Sequence, residues 1–277
     1  MSDISIVIPS VGGEILVRTI SHLNAGSIVP TEIIVVIPAE FSQRIPVFFS
    51  PNVHFEIVDF KGQVAQRAYG FKLAKCNFVL QLDDDVFLDY YCIEKLLFSL
   101  KLLGPGHCVG PSIFFEETRL SVYSMRKGFQ GFVYNIKSLL SGSKWGTKRM
   151  GTISNNGSGF GLDYQIVTDE INHVEWLAGG CILHFKSELI LNDYFPFVGK
   201  AYGEDLIHSW FLTVSGVKLY NIKSAICYIE TPILNDQNYS LKSDFESRLY
   251  FNKLRKVPLI YTFIWFVSRL ILRKLVK

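Results

Sequence analysis

Short apolar runs alternate with helix-spaced segments through the first 115 residues, and this alternation narrows the possible fold more than any other feature. Apolar runs occupy 4–8, 32–37, 53–58, 77–82 and 107–114, with turn residues such as Pro9-Ser10 and Pro38 closing them. Between them, 14–23 places Ile15, Val17, Ile20 and Leu23 at helical spacing. Segments 63–75 and 89–103 also read as helices, the last ended by Gly104-Pro105-Gly106. At 33–36 and 78–80 the runs are continuous, as in strands covered on both faces. Strand–helix–strand repetition implies parallel βαβ units, an α/β fold with a ligand crevice at the carboxyl ends of its strands.

The run ending at Leu82 leads directly into Asp83-Asp84-Asp85. Three adjacent carboxylates repel one another and are costly to bury without cations. One aspartate could cap the helix near 89, and a solvated acidic loop could hold several. Three at the end of an interior strand instead suit a hard divalent cation, which takes oxygen ligands and commonly shares them with substrate phosphates. A second acidic pair, Glu204-Asp205, follows Gly203 and opens a helical segment, where acids also suit the helix dipole.

Charge is distributed unevenly. Residues 118–149 carry +7 and 248–277 carry +8 with no acid in either, leaving −12 on the remainder of a chain whose net charge is only +3. Such basic segments favour anionic partners. The acidic remainder and the aspartate triplet argue against a nucleic-acid-binding protein. The five cysteines are scattered without a CxxC pair and read as reduced core residues. The start, Met1-Ser2-Asp3, lacks the pattern of a signal peptide.

Taken together, Ser5-Ile6-Val7-Ile8-Pro9-Ser10, Glu32-Ile33-Ile34-Val35-Val36, Gln66-Arg67-Ala68-Tyr69-Gly70 and Leu82-Asp83-Asp84-Asp85 resemble a family 2 glycosyltransferase of the GT-A fold. The resemblance extends to Val174-Glu175-Trp176-Leu177-Ala178-Gly179-Gly180 and Gly203-Glu204-Asp205-Leu206, and covers roughly 4–230. It implies a Rossmann-like, mostly parallel sheet flanked by helices and an inverting, bacterial surface-polysaccharide type of enzyme. It places Pro9, Ser10, Arg67, Asp83, Asp84, Gly179 and Gly180 around a nucleotide-sugar donor. Asp85 and Asp83 then ligate Mn²⁺ or Mg²⁺, and Asp205 is the base assisted by Glu204. Trp176 offers a ring to the acceptor or sugar. The chain departs from the family at Ile37-Pro38-Ala39-Glu40, where an acid commonly ends the second strand and Glu40 is the nearest counterpart. It also lacks a late histidine; Tyr228 and Glu230 stand in that neighbourhood, and His208 reads as a helix-surface or pocket-wall residue.

The implied division is a catalytic domain over 1–240 and a basic amphipathic helical tail over 241–277. Within the domain, 1–116 is the nucleotide-binding half, 117–160 a basic insertion or mobile loop, and 161–240 the acceptor half. The tail's apolar stretch, 257–268, is too short to span a bilayer but suits a helix lying at an anionic surface. These features lead to the expectation of a peripheral protein on the inner face of a bacterial cell membrane, extending a lipid-linked saccharide. A sugar-phosphate nucleotidyltransferase ranks below this, because Ser10-Val11-Gly12-Gly13-Glu14 has no basic run beside its glycines. A catalytically dead sugar-binding scaffold is disfavoured by the intact acidic motifs.

Overall fold

A computed structural model describes residues 3–46, 50–140, 142–197, 202–231 and 240–275, excluding the side chains of 271–275. The chain opens with strand β1 (Ile4–Pro9), helix α1 (Glu14–Ala25), β2 (Glu32–Pro38) and β3 (Val53–Val58). Next come α2 (Gln63–Leu73), β4 (Phe78–Leu82), β5 (Val86–Leu88), α3 (Cys92–Leu103) and β6 (His107–Phe115). Helix α4 (Gly128–Leu140) precedes a small hairpin, β7 (Thr152–Ile153) with β8 (Gly159–Phe160). Then follow β9 (Ile171–Val174), β10 (Cys181–Phe185), α5 (Glu204–Val214), β11 (Lys218–Ile229), α6 (Leu241–Leu254) and α7 (Ile260–Leu275).

Nine strands form one sheet in the order β3-β2-β1-β4-β10-β6-β11-β5, with β9 also on β11. Six strands point one way; β5, β9 and β10 run against them. The first four strands form a wholly parallel block. Every residue of β1 and β2 is buried, which explains their uninterrupted apolar sequence. Leu16, Ile20 and Leu23 of α1 bury one helix face against this sheet, each contributing about 1.5–3 kcal/mol. Strand β10 lies antiparallel between β4 and β6 and joins the parallel block to the second half.

Three elements differ from the sequence expectation. Val86–Leu88 is a strand, hidden by its three-residue length beside the acidic triplet. The two strands expected near 217–220 and 225–229 are one, β11, whose register on β6 shifts between Ile222 and Ile226. Segment 117–160 contains helix α4: Phe129, Phe132, Ile136 and Leu139 recur at helical spacing, a signal masked by the surrounding basic residues.

Helix α7 packs one face on α6. Asn252 Nδ2 donates to the buried Thr262 Oγ1 at 2.6 Å, Phe266 stacks on Phe245 at 4.2 Å, and Arg248 covers the buried Trp265 ring at 4.1 Å. Its other face exposes Ile260, Ile264, Val267 and Leu270, and Phe263, edge-on to Phe245 of α6, is also partly exposed. Among the described residues no helix is long and apolar enough to cross a membrane. All five cysteines are free and buried.

Candidate active site

At the carboxyl end of β4 the aspartate triplet divides by direction. The backbone N–H of Asp83 donates to Gly180 O at 2.9 Å, fixing the triplet against the turn before β10. Asp83 Oδ1 accepts from Gln63 Nε2 at 2.9 Å and from Arg67 Nη2 at 3.1 Å. Asp84 turns the other way: its carboxylate accepts from Ser10 Oγ, and its carbonyl accepts from Thr19 Oγ1 at 2.6 Å. Ser10 Oγ also accepts from the Gly12 N–H at 2.9 Å. Asp84 therefore ties the triplet to β1 and α1, while Asp83 and Asp85 line the cleft. Desolvation, followed by the charges of Asp83 and Asp84, pushes the Asp85 carboxyl up to about 6.

Gly203, at φ 64°, takes the left-handed conformation that starts α5 and brings Glu204-Asp205 back to this cleft. Arg67, 1% exposed, donates from Nη1 to both oxygens of Glu204, at 3.1 and 3.0 Å, while its Nη2 reaches Asp83. Burial works against that guanidinium's charge, but Glu204 and then Asp83 overcome it and hold its pKa above the ordinary arginine value. Tyr194 Oη also donates to Glu204 Oε2 at 3.1 Å. Glu204 is thus fully engaged. Asp205 accepts from the N–H of its own neighbour Leu206 at 2.9 Å and is pushed up to about 7 by desolvation and by Glu204. Gly179 closes the wall: a Cβ there would lie 2.6 Å from Glu204 Oε1.

The resulting cleft has a volume of about 660 Å³ and is lined by Asp83, Asp85, Gly179, Gly180, Glu204 and Asp205, with Gln63, Tyr123 and Glu230 among the others. Among the described residues no group of three or more His, Cys, Asp or Glu is arranged to enclose a metal. Asp83 and Asp85 nevertheless fit a hard divalent cation as a partial oxygen shell, the remainder coming from phosphate and water. Desolvation and then the Asp83 and Asp84 charges raise Asp85, and a cation bound between the carboxylates would offset that cost.

No protein-family profile matches the chain, and no curated protein matches it significantly in sequence. Many solved structures resemble it in fold, two of them as follows. GalNAc-T7, determined with UDP, GalNAc and Mn²⁺, matches with a TM-score of 0.62 and 16% identity over 83% of this chain and 43% of its own. S. aureus TarS 1–349 matches with a TM-score of 0.54 and 14% identity over 91% of this chain and 64% of its own. The chain has the GT-A fold. It spans less than two thirds of either neighbour's length.

Within this GT-A fold, the cleft sits where the parallel block meets β10, at the carboxyl end of β4. Not every expected site residue reaches it. Pro9 and Ser10 lie at the end of β1, outside the cleft lining, with Ser10 supporting Asp84. Arg67 is a buried bridge rather than a ligand-facing cation. Trp176 is a wall residue: it is buried, donates from Nε1 to Phe160 O at 3.2 Å, and packs edge-on to Tyr123. It is Tyr123 that faces the cleft. His208 is neither surface nor pocket wall; it is buried among His184 and Tyr194, and burial holds its pKa well below the usual histidine range. Tyr228 lies under Arg119, whereas Glu230 lines the cleft. Glu40 pairs with Lys61 at 3.1 Å on the exposed surface. Gln63, Tyr123 and Tyr194 had no motif to announce them; Gln63 was traceable only as the residue one helical turn before Arg67.

Proposed function

We propose that the protein is a metal-dependent inverting glycosyltransferase that moves a sugar from a nucleotide-sugar donor to a lipid-linked saccharide in surface-polysaccharide synthesis. The observation that carries this reading is a single cleft with the Asp83/Asp85 pair on one wall and Asp205, held near neutrality, on another. The GT-A fold, and a neighbour whose structure holds UDP, GalNAc and Mn²⁺, support the choice of donor chemistry. Asp83 and Asp85 are the residues that would hold Mn²⁺ or Mg²⁺, which would supply positive charge to offset the negative charge gathering on the departing nucleoside diphosphate. Gly179 and Gly180 let the donor approach backbone closely. Asp205 takes the proton of the acceptor hydroxyl as its oxygen bonds to the anomeric carbon and the bond to diphosphate breaks. Glu204, neutralised by Arg67 and donated to by Tyr194, positions the start of α5.

Thermal unfolding in the presence of UDP tests the donor end. Addition of UDP with Mn²⁺ is expected to raise Tm by several degrees, consistent with binding at a large excess over Kd. Asp85→Asn is expected to remove the Mn²⁺-dependent part. A panel of nucleoside diphosphates that leaves Tm unchanged, with and without metal, would count decisively against the assignment.

On the same reading, 1–240 is the catalytic unit and 241–277 is the surface-binding tail, on the inner face of the cytoplasmic membrane. The exposed faces of α7 (Phe263, Ile264, Val267) and α4 (Phe129, Phe132, Ile136) support this, because both lie in segments without acids. The wild-type protein is expected to sediment with phosphatidylglycerol vesicles, and Ile264→Glu with Val267→Glu is expected to leave most of it in the supernatant. Equal sedimentation of both proteins would overturn the tail assignment.

A further inference from the structure

A second cavity, of about 180 Å³, lies beside the catalytic cleft and shares Val122 and Tyr123 with it. Two arginines line it. Arg149 is 4% exposed and donates from Nη1 to Asn135 Oδ1 at 2.5 Å and to Ser138 Oγ at 3.4 Å. Its guanidinium lies 4.6 Å from the Tyr134 ring centroid and 5.3 Å from that of Phe160. Arg126 approaches the same Tyr134 ring at 5.1 Å. Among the described residues neither arginine forms an ion pair with a carboxylate. Burial lowers the pKa of Arg149, with only Tyr134 acting the other way. A buried guanidinium held by neutral groups is expensive unless an anion completes it. Two arginines lining one cavity suit the oxygens of a phosphate in particular.

Helix α4 gives this cavity a second property. Tyr134, Asn135 and Ser138 serve the arginine side, while Phe129, Phe132, Ile136 and Leu140 stand exposed on the outside. An anion in the cavity therefore lies one helix thickness from an apolar surface, and beside the cleft in which Asp205 stands.

We infer that this arginine pocket holds a phosphate ester of the acceptor, the acceptor sugar reaching past Tyr123 into the catalytic cleft. This rests on the glycosyltransferase reading for the identity of the ligand, but not for the binding of phosphate. The test uses metal-free protein in EDTA, so that anions are not drawn to Asp83 and Asp85. Binding of farnesyl phosphate, farnesol and inorganic phosphate is measured by calorimetry for wild type, Arg126→Gln and Arg149→Gln.

The expected result is phosphate-dependent binding that weakens about tenfold in each variant, while UDP with Mn²⁺ still stabilises both. Farnesyl phosphate binding more tightly than inorganic phosphate assigns the pocket to a lipid-linked acceptor. Equal binding of the two probes, lost in both variants, supports the phosphate site with a soluble phosphorylated acceptor. Unchanged phosphate binding in Arg126→Gln, at an exposed residue, and in Arg149→Gln would overturn the inference. Intact UDP binding alongside that result would leave the glycosyltransferase reading standing, and failure of UDP binding alone would remove that reading but not the pocket.

Discussion

Asp205→Asn is expected to lower turnover by about 10²–10⁴-fold, the range that general-base catalysis supplies, while the Tm increase from UDP and Mn²⁺ persists. The amide is nearly the same size but cannot take the acceptor's proton. For the wild type, the Asp205 carboxyl is pushed up to about 7, so the competent ionised form dominates only above that pH. The kcat/KM profile should therefore rise about tenfold per pH unit below about 7 and flatten above it. The same shift has an opposite effect on stability. A carboxyl whose folded pKa is raised keeps a proton that the unfolded chain has already released, so stability declines as pH climbs from about 4 to about 7. Asp205→Asn removes that penalty, and its Tm at pH 8 should exceed that of the wild type. A variant that loses donor binding together with turnover would contradict the assignment of Asp205 as base.

Arg67→Met is the substitution expected to damage the fold most. It leaves Glu204 and Asp83 without the cation that joins them, and breaking a buried ion pair in this way costs about 3–5 kcal/mol. For a chain of this size that is a fall in Tm of roughly 10 °C. Adding Glu204→Gln to Arg67→Met should recover part of the loss, because one stranded charge is removed. A double-mutant cycle measures the coupling directly. Additive losses, with no recovery, would mean that the bridge between α2 and α5 carries little energy.

The two arginines at the centre of these results were legible to different degrees. Arg67 stood in a recognisable stretch, but only three-dimensional packing shows that it faces inward to residues 16 and 137 positions away in sequence. Arg149 stood in a segment that composition presents as a charged loop, and its burial depends on α4, whose period was hidden by its basic surroundings. The parallel block was readable because strands buried on both faces must be apolar throughout, as β1 and β2 are. Asp83 and Asp85 were readable because carboxylates at a strand end have few structural uses. The opposite orientation of Asp84 was not, since alternation along a chain does not say which neighbour donates to it; here Ser10 does. Trp176 misled for a related reason. A large ring beside two glycines suits a sugar as well as it suits a wall, and only Gly159, whose added Cβ would lie 2.6 Å from the indole, shows which it is.

The position of β10 has a consequence for how this protein is made. It stands fifth along the sheet but is the eighth of its nine strands in chain order: residues 181–185 must slot between β4 and β6, which end at residues 82 and 115. As the chain leaves the ribosome, the β10-facing edge of β4 waits through residues 83–180 and that of β6 through residues 116–180 before its partner exists. Open edges of this kind invite pairing with the wrong strand, within one chain or between neighbours. The acidic triplet follows β4 directly, and like charges at that strand end disfavour in-register pairing of β4 with another copy of itself.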